Sequence, residues 1–121
     1  MLKNNVQIKY DLEERTIKFA ENIVDYAKSF KINPLNSSII SQLIRAGTSV
    51  GANYSEANEC TSKKDFCHKI SLAKKEAKET MYWLKILLKI DQENKDANRR
   101  LSQEAHELVL IFSAIIKKTR I

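Results

Sequence analysis

Lys63 to Ile90 reads KKDFCHKISLAKKEAKETMYWLKILLKI, and this stretch decides the fold class. It contains neither glycine nor proline. Phe66, Ile70, Ala73, Ala77, Thr80, Leu84 and Leu87 recur at alternating spacings of four and three. That spacing lines one side of an α-helix, whereas a half-buried strand alternates at every second residue. Ser62 followed by Asp65 fits a capping box in which Asp replaces the usual Glu. The pattern predicts a long helix over about 63–90.

The same spacing returns downstream. Leu101, Ala105, Leu108, Phe112, Ile115 and Thr119 repeat it, Val109 and Ile116 widen the stripe, and a helix is predicted over 97–118. The polar segment Asp91 to Asp96 connects the two. Upstream, Ile40, Leu43, Ile44, Gly47, Val50, Gly51, Tyr54 and Ala57 trace a helix over 35–57. Asn33 is placed to cap it and Pro34 suits its first position. Asn58 to Thr61 reads as a tight connection. A first helix is expected over 11–31, burying Ala20, Ile23, Val24, Ala27 and Phe30. Asp11, Glu13 and Glu14 then fall in its first turn, and Lys28 and Lys31 at its end, as the helix dipole favours. Met1 to Tyr10 reads as a polar lead-in.

Composition agrees with four helices and little else. The 121 residues suit one domain and contain only 2 Gly and 1 Pro, too few turn residues for a sandwich or barrel. Neither a Rossmann nor a P-loop glycine pattern can be written. Gly47 and Gly51 are four apart, on one helix face. Each costs about 1 kcal/mol relative to Ala in a helix interior, so close approach of another backbone is expected there. The fold class is all-α, an antiparallel up-down-up-down four-helix bundle. No signal peptide or membrane span is expected, and Cys60 and Cys67 build no disulfide framework, which points to the cytoplasm.

The net charge is +6, from 21 basic and 15 acidic residues. Lys63, Lys64, Lys69, Lys74, Lys75, Lys78, Lys85 and Lys89 crowd the third helix, and Lys75, Lys78, Lys85 and Lys89 share a strip. Such a row can neutralise a phosphate backbone. It can equally be a solvated face, partly paired with Asp65, Glu76 and Glu79. Lys117, Lys118 and Arg120 form a second basic cluster, which also complements a helix dipole. On the second helix Arg45, Ser49, Asn53 and Glu56 make a polar line beside the glycine face. With Glu76 and Glu79 opposite, an Arg–Glu network that sets helix register or a subunit contact is expected, a binding cleft being the alternative. Trp83, Ile86 and Ile90 make a second apolar line, a candidate oligomer interface. No Glu-x-x-His motif or paired metal-ligand spacing occurs, so no metal or other cofactor is expected. Cys67, next to Phe66, is expected to pack as a small apolar group.

Arg45-Ala-Gly-Thr-Ser-Val-Gly-Ala-Asn-Tyr-Ser-Glu-Ala resembles the second-helix signature of the small bacterial proteins encoded in intervening sequences of 23S ribosomal RNA genes. Arg45, Ser49, Val50, Asn53, Glu56 and Ala57 match in order; Tyr54 replaces an aliphatic residue and Ala57 the commoner Gly. Ser62-Lys-Lys-Asp-Phe66 resembles the family's helix opening. Ile70, Leu72-Ala73, Glu76, Glu79-Thr80 and Trp83-Leu84 resemble the stretch that follows. The resemblance implies a four-helix bundle assembled as a homopentamer with a central pore and a basic outer surface. The chain is also similar to the accessory protein of diversity-generating retroelements, a pentameric bundle that binds nucleic acid beside a reverse transcriptase. Neither resemblance implies catalysis.

The expected function is thus noncatalytic, oligomeric nucleic-acid binding, directed to RNA. Its contacts would come from Lys64, Lys74, Lys75, Lys78, Lys85, Lys89, Lys117, Lys118 and Arg120. One alternative is a protein-interaction scaffold. Another is a ribonuclease, because Arg100-Leu-Ser-Gln-Glu-Ala-His106 resembles the Arg-x(4–6)-His signature of the helical HEPN nucleases. A spacing of six sets those two side chains far apart around a helix, as expected of two surface residues.

Overall fold

The computed structural model describes the backbone of residues 2–120 and the side chains of 11–120. Four helices account for it: α1 (Leu2–Lys28), α2 (Ser37–Glu59), α3 (Lys63–Ile90) and α4 (Lys95–Thr119). Among the described residues there is no strand.

α3 has the expected bounds. The Ser62 hydroxyl caps it by accepting from the Asp65 backbone N–H at 3.0 Å. Ile70, Ala73, Ala77, Thr80, Leu84 and Leu87 are all buried, and Phe66 is half-buried at the rim. α4 starts two residues earlier than expected, shortening the preceding loop to 91–94.

α1 corrects the expectation at its start. The helix begins at Leu2, so 2–10 is not a lead-in, and Asp11, Glu13 and Glu14 lie inside the helix rather than in its first turn. No glycine or proline interrupts this segment, and a helix nucleated downstream propagates readily through polar residues. The buried side is Leu12, Thr16, Phe19, Ile23, Tyr26 and Ala27, continued by Phe30 in the turn beyond the helix. Val24 sits about 100° around the axis from Ile23 and is exposed, not in the core.

α2, by contrast, starts later than expected, at Ser37. Asn33 does act as a cap, but of a separate turn. Its side-chain oxygen accepts from the backbone N–H groups of Leu35 and Asn36. The Asn36 side-chain oxygen accepts in return from the Asn33 N–H at 2.9 Å. This reciprocal pair closes one turn around Pro34 before the helix proper begins.

Cross-helix pairs establish the topology. Gly47 and Gly51 of α2 lie against Ile23 and Thr16 of α1 respectively, so these helices run antiparallel. Arg45 meets Glu76 and Glu79 while Glu56 meets Lys69, so α2 and α3 are antiparallel. Asn94 bonds Ser29 while Arg15 bonds Glu104 and Glu107, so α1 and α4 are antiparallel. α3 packs on α4, and the set closes as an up-down-up-down bundle with α1/α3 and α2/α4 on the diagonals.

The two glycines are explained by packing rather than by backbone conformation, since neither has a positive φ. A Cβ on Gly47 would come within 2.8 Å of Ile23 Cγ1, and one on Gly51 within 2.9 Å of Thr16 Oγ1. One polar knot lies in the core. Asn98 Nδ2 donates to both the Tyr26 hydroxyl and the Leu84 carbonyl, each at 2.8 Å, joining α4 to α1 and α3. Burial pushes the Tyr26 hydroxyl pKa up, against the pull of the Asn98 bond. Among the described residues no buried side-chain polar atom lacks a partner, as a well-formed core requires. No described helix is long and apolar enough to cross a membrane.

Candidate nucleic-acid interface

The helix faces of α3 divide its charges cleanly. Glu76 and Glu79 point towards α2, where both are taken by Arg45. Arg45 also donates to Gln42 at 3.0 Å. Burial pushes the Glu79 carboxyl up, but hydrogen bonds from Arg45 and Trp83 and the charges of Arg45 and Lys75 outweigh it. Its pKa therefore sits below the ordinary glutamate value. The rest of the polar line stays within the chain. Ser49 Oγ donates to the Arg45 carbonyl, Asn53 Nδ2 donates to the Ser49 carbonyl, and Glu56 accepts from Lys69. Arg45 and Glu56, the two ends of the line, thus tie α2 to α3.

Lys75 still feels the Glu79 charge, but the pairing with Arg45 keeps Glu76 and Glu79 turned from the lysines of the other face. Among the described residues, the cations held in ion pairs are Arg15, Arg45 and Lys69. Lys75, Lys78, Lys85 and Lys89 are all exposed along one side of α3, and Lys64 is exposed in its first turn.

Antiparallel packing then brings the C-terminal turn of α4 beside the first half of α3. Lys74, Lys75 and Lys78 face Lys117 and Arg120 across a cleft of about 790 Å³. Ser71, Ser113 and Ile116 complete its lining, and no carboxylate is among the lining residues. Five of the nine basic residues expected at the interface are therefore in one place. Lys85 and Lys89 extend the strip along α3 beyond the cleft, while Lys64 and Lys118 do not line it. Hydroxyls and ammonium groups on a shallow floor suit the oxygen atoms of phosphates.

The Trp83, Ile86 and Ile90 line is half-buried within the chain. Trp83 and Ile90 pack against the core, and the Trp83 indole N–H donates to Glu79 at 3.2 Å. Arg100 and His106 are both exposed on α4 and are not brought together in a cleft. Arg100 lines a groove of about 380 Å³ between α1 and α4 with Asp25, Tyr26 and Glu104, and His106 does not. Among the described residues, no three His, Cys, Asp or Glu side chains gather as a metal site. Cys60 and Cys67 are free thiols, both half-buried.

Two arrangements lay outside the sequence-based expectation. One is Arg15, which bridges α1 to α4 through Glu104 at 2.7 Å and Glu107 at 2.9 Å. Nothing in the local pattern marks that pairing. The other is Asn98, which stands three residues before Leu101 and so extends the apolar seam of α4 backwards. A polar residue on a seam position was the available signal.

Comparison with known proteins agrees with the four-helix fold. A family model described as 23S rRNA-intervening sequence protein matches residues 9–114. A crystal structure of a protein of unknown function from the S23 ribosomal protein family, from Bacteroides thetaiotaomicron, is similar at 33% identity with a TM-score of 0.79. The alignment covers 88% of this chain and 98% of that one. Among curated proteins no match was found.

Proposed function

The chain belongs to the 23S rRNA-intervening sequence protein family, and from that premise we propose that it is a noncatalytic, self-associating protein that binds nucleic acid, directed to RNA. The observation that carries this is the cleft where Lys74, Lys75, Lys78, Lys117 and Arg120 converge without a lining carboxylate. Their charge comes from chain segments far apart in sequence, and Arg45 has drawn off the two glutamates that would otherwise neutralise α3. Separation of Arg100 and His106 supports a binding role over cleavage.

Phosphate contacts of this kind are sequence-tolerant and salt-sensitive. Titration of a single-stranded RNA against the protein should give a log–log salt slope of about −3.5 if all five cations meet phosphates at ~0.7 per phosphate. Replacing Lys75 and Lys78 with Glu should weaken binding to all sequences and flatten the slope by about 0.7 for each phosphate no longer neutralised. Undetectable affinity at low salt, or affinity unmoved by the double substitution, would overturn the proposal.

A further inference from the structure

We propose that the basic face takes unpaired RNA strands, with Tyr82 as the platform on which a base stacks. This rests on the nucleic-acid proposal above and names the ligand's form. Lys75, Lys78, Lys85 and Lys89 leave a seven-residue step in the middle of their strip, and Tyr82 fills it. The resulting positions 75, 78, 82, 85 and 89 advance by three and four, so they lie along one face of α3. All five are exposed, and Tyr82 is 57% exposed, among the most exposed of the large apolar or aromatic side chains. The face spans about 21 Å at ~1.5 Å per residue, long enough for several nucleotides.

The ring also packs on a neighbour. Trp83 stands nearly perpendicular to it, with centroids 5.0 Å apart and an interplanar angle of 78°. Trp83 is itself tied to Glu79, and Glu79 to Arg45. An aromatic ring that already packs on a neighbour has less entropy to lose when a base lands on it. Lysines before and after it can hold the flanking phosphates. Bases within a duplex are stacked on each other and cannot reach a ring on a convex helix face; an unpaired strand can splay a base onto it. A protein partner at the same ring would have to bring acidic groups to match the lysines, and its presence is one outcome of the test.

The test compares a labelled RNA strand of about 12 nucleotides with the same strand annealed to its complement, and with inorganic polyphosphate, which has phosphates and no bases. The wild-type protein should prefer the unpaired strand to the duplex. Tyr82→Ala should weaken unpaired RNA roughly 5- to 100-fold and leave polyphosphate binding unchanged, and Tyr82→Phe should retain binding, since stacking needs the ring and not the hydroxyl. Lys75→Glu/Lys78→Glu should weaken RNA and polyphosphate alike. Equal or tighter duplex binding would overturn the inference. So would Tyr82→Ala binding unpaired RNA as wild type does, including where the variant instead loses a protein partner. In both cases RNA binding sensitive to the lysine substitutions would leave the broader proposal standing. Failure of every RNA form to bind at low salt would remove both.

Discussion

At the scale of single residues, Gly47 packs directly against Ile23. It sits in a helix interior where alanine would add about 1 kcal/mol of helix propensity. Its missing Cβ is nonetheless what lets α2 approach α1, because that atom would fall 2.8 and 2.9 Å from the two γ carbons of a fully buried isoleucine. Those carbons branch directly from Cβ and cannot swing away, and overpacking of this kind costs about 1–3 kcal/mol. Gly47→Ala should therefore destabilise the protein by a net of up to ~2 kcal/mol in urea unfolding, despite the better helix former. Combining it with Ile23→Ala should cost less than the sum of the two single changes, the sign of a clash relieved. A Gly47→Ala protein as stable as wild type would mean that the helices separate freely there. The close approach was legible from two glycines four apart, but its partners, Ile23 and Thr16, were not. Spacing within one helix gives no register against another.

At the scale of elements, α3 carries opposite roles on its two flanks. Towards α2 its glutamates are bound by Arg45; away from α2 its lysines stay in water. The α2 flank gives a pH dependence of known sign. The folded-state pKa of Glu79 is depressed, so its contribution to stability is present above the ordinary carboxylate range and is lost as pH falls through the folded value. The pairs are partly open to solvent, with 45% of the Arg45 side chain exposed, so the contribution is about 0.5–1 kcal/mol. Thermal melts of Arg45→Gln and wild type should differ at about pH 7 and converge near pH 3. A difference that persists undiminished in acid would assign the effect to packing of the arginine stem instead. Glu107, held low by Gln103 and Arg15, titrates in the same direction in both proteins and drops out of the comparison.

At the scale of the molecule, four helices enclose one core, and the surface left over decides what else the chain can meet. Self-association through Trp83, Ile86 and Ile90 remains the expectation, although the fold has already covered part of that line. Light scattering should return a mass well above the 14.0 kDa of one chain, and Ile86→Glu should lower it. A single-chain mass for the wild type would exclude self-association under the conditions of measurement.

The sequence by itself determined the all-α class and the buried sides of α2, α3 and α4, because the three-four spacing of apolar residues is a local property of each segment. α3 and α4 could be read almost to the residue from the seams running through Ile70 and Leu101. Where side chains did not repeat, as in 2–10, helix propagation through polar residues concealed the true start of α1. The basic cleft belongs to the other category. Lys74 and Arg120 are 46 positions apart, and only the antiparallel packing of α3 on α4 brings them to one place. Tertiary structure likewise chose Arg45 as the partner of Glu76 and Glu79, and so left the lysines beside Tyr82 exposed. Charge spacing along a chain does not specify which opposite charge arrives from another helix; the register of packed helices does.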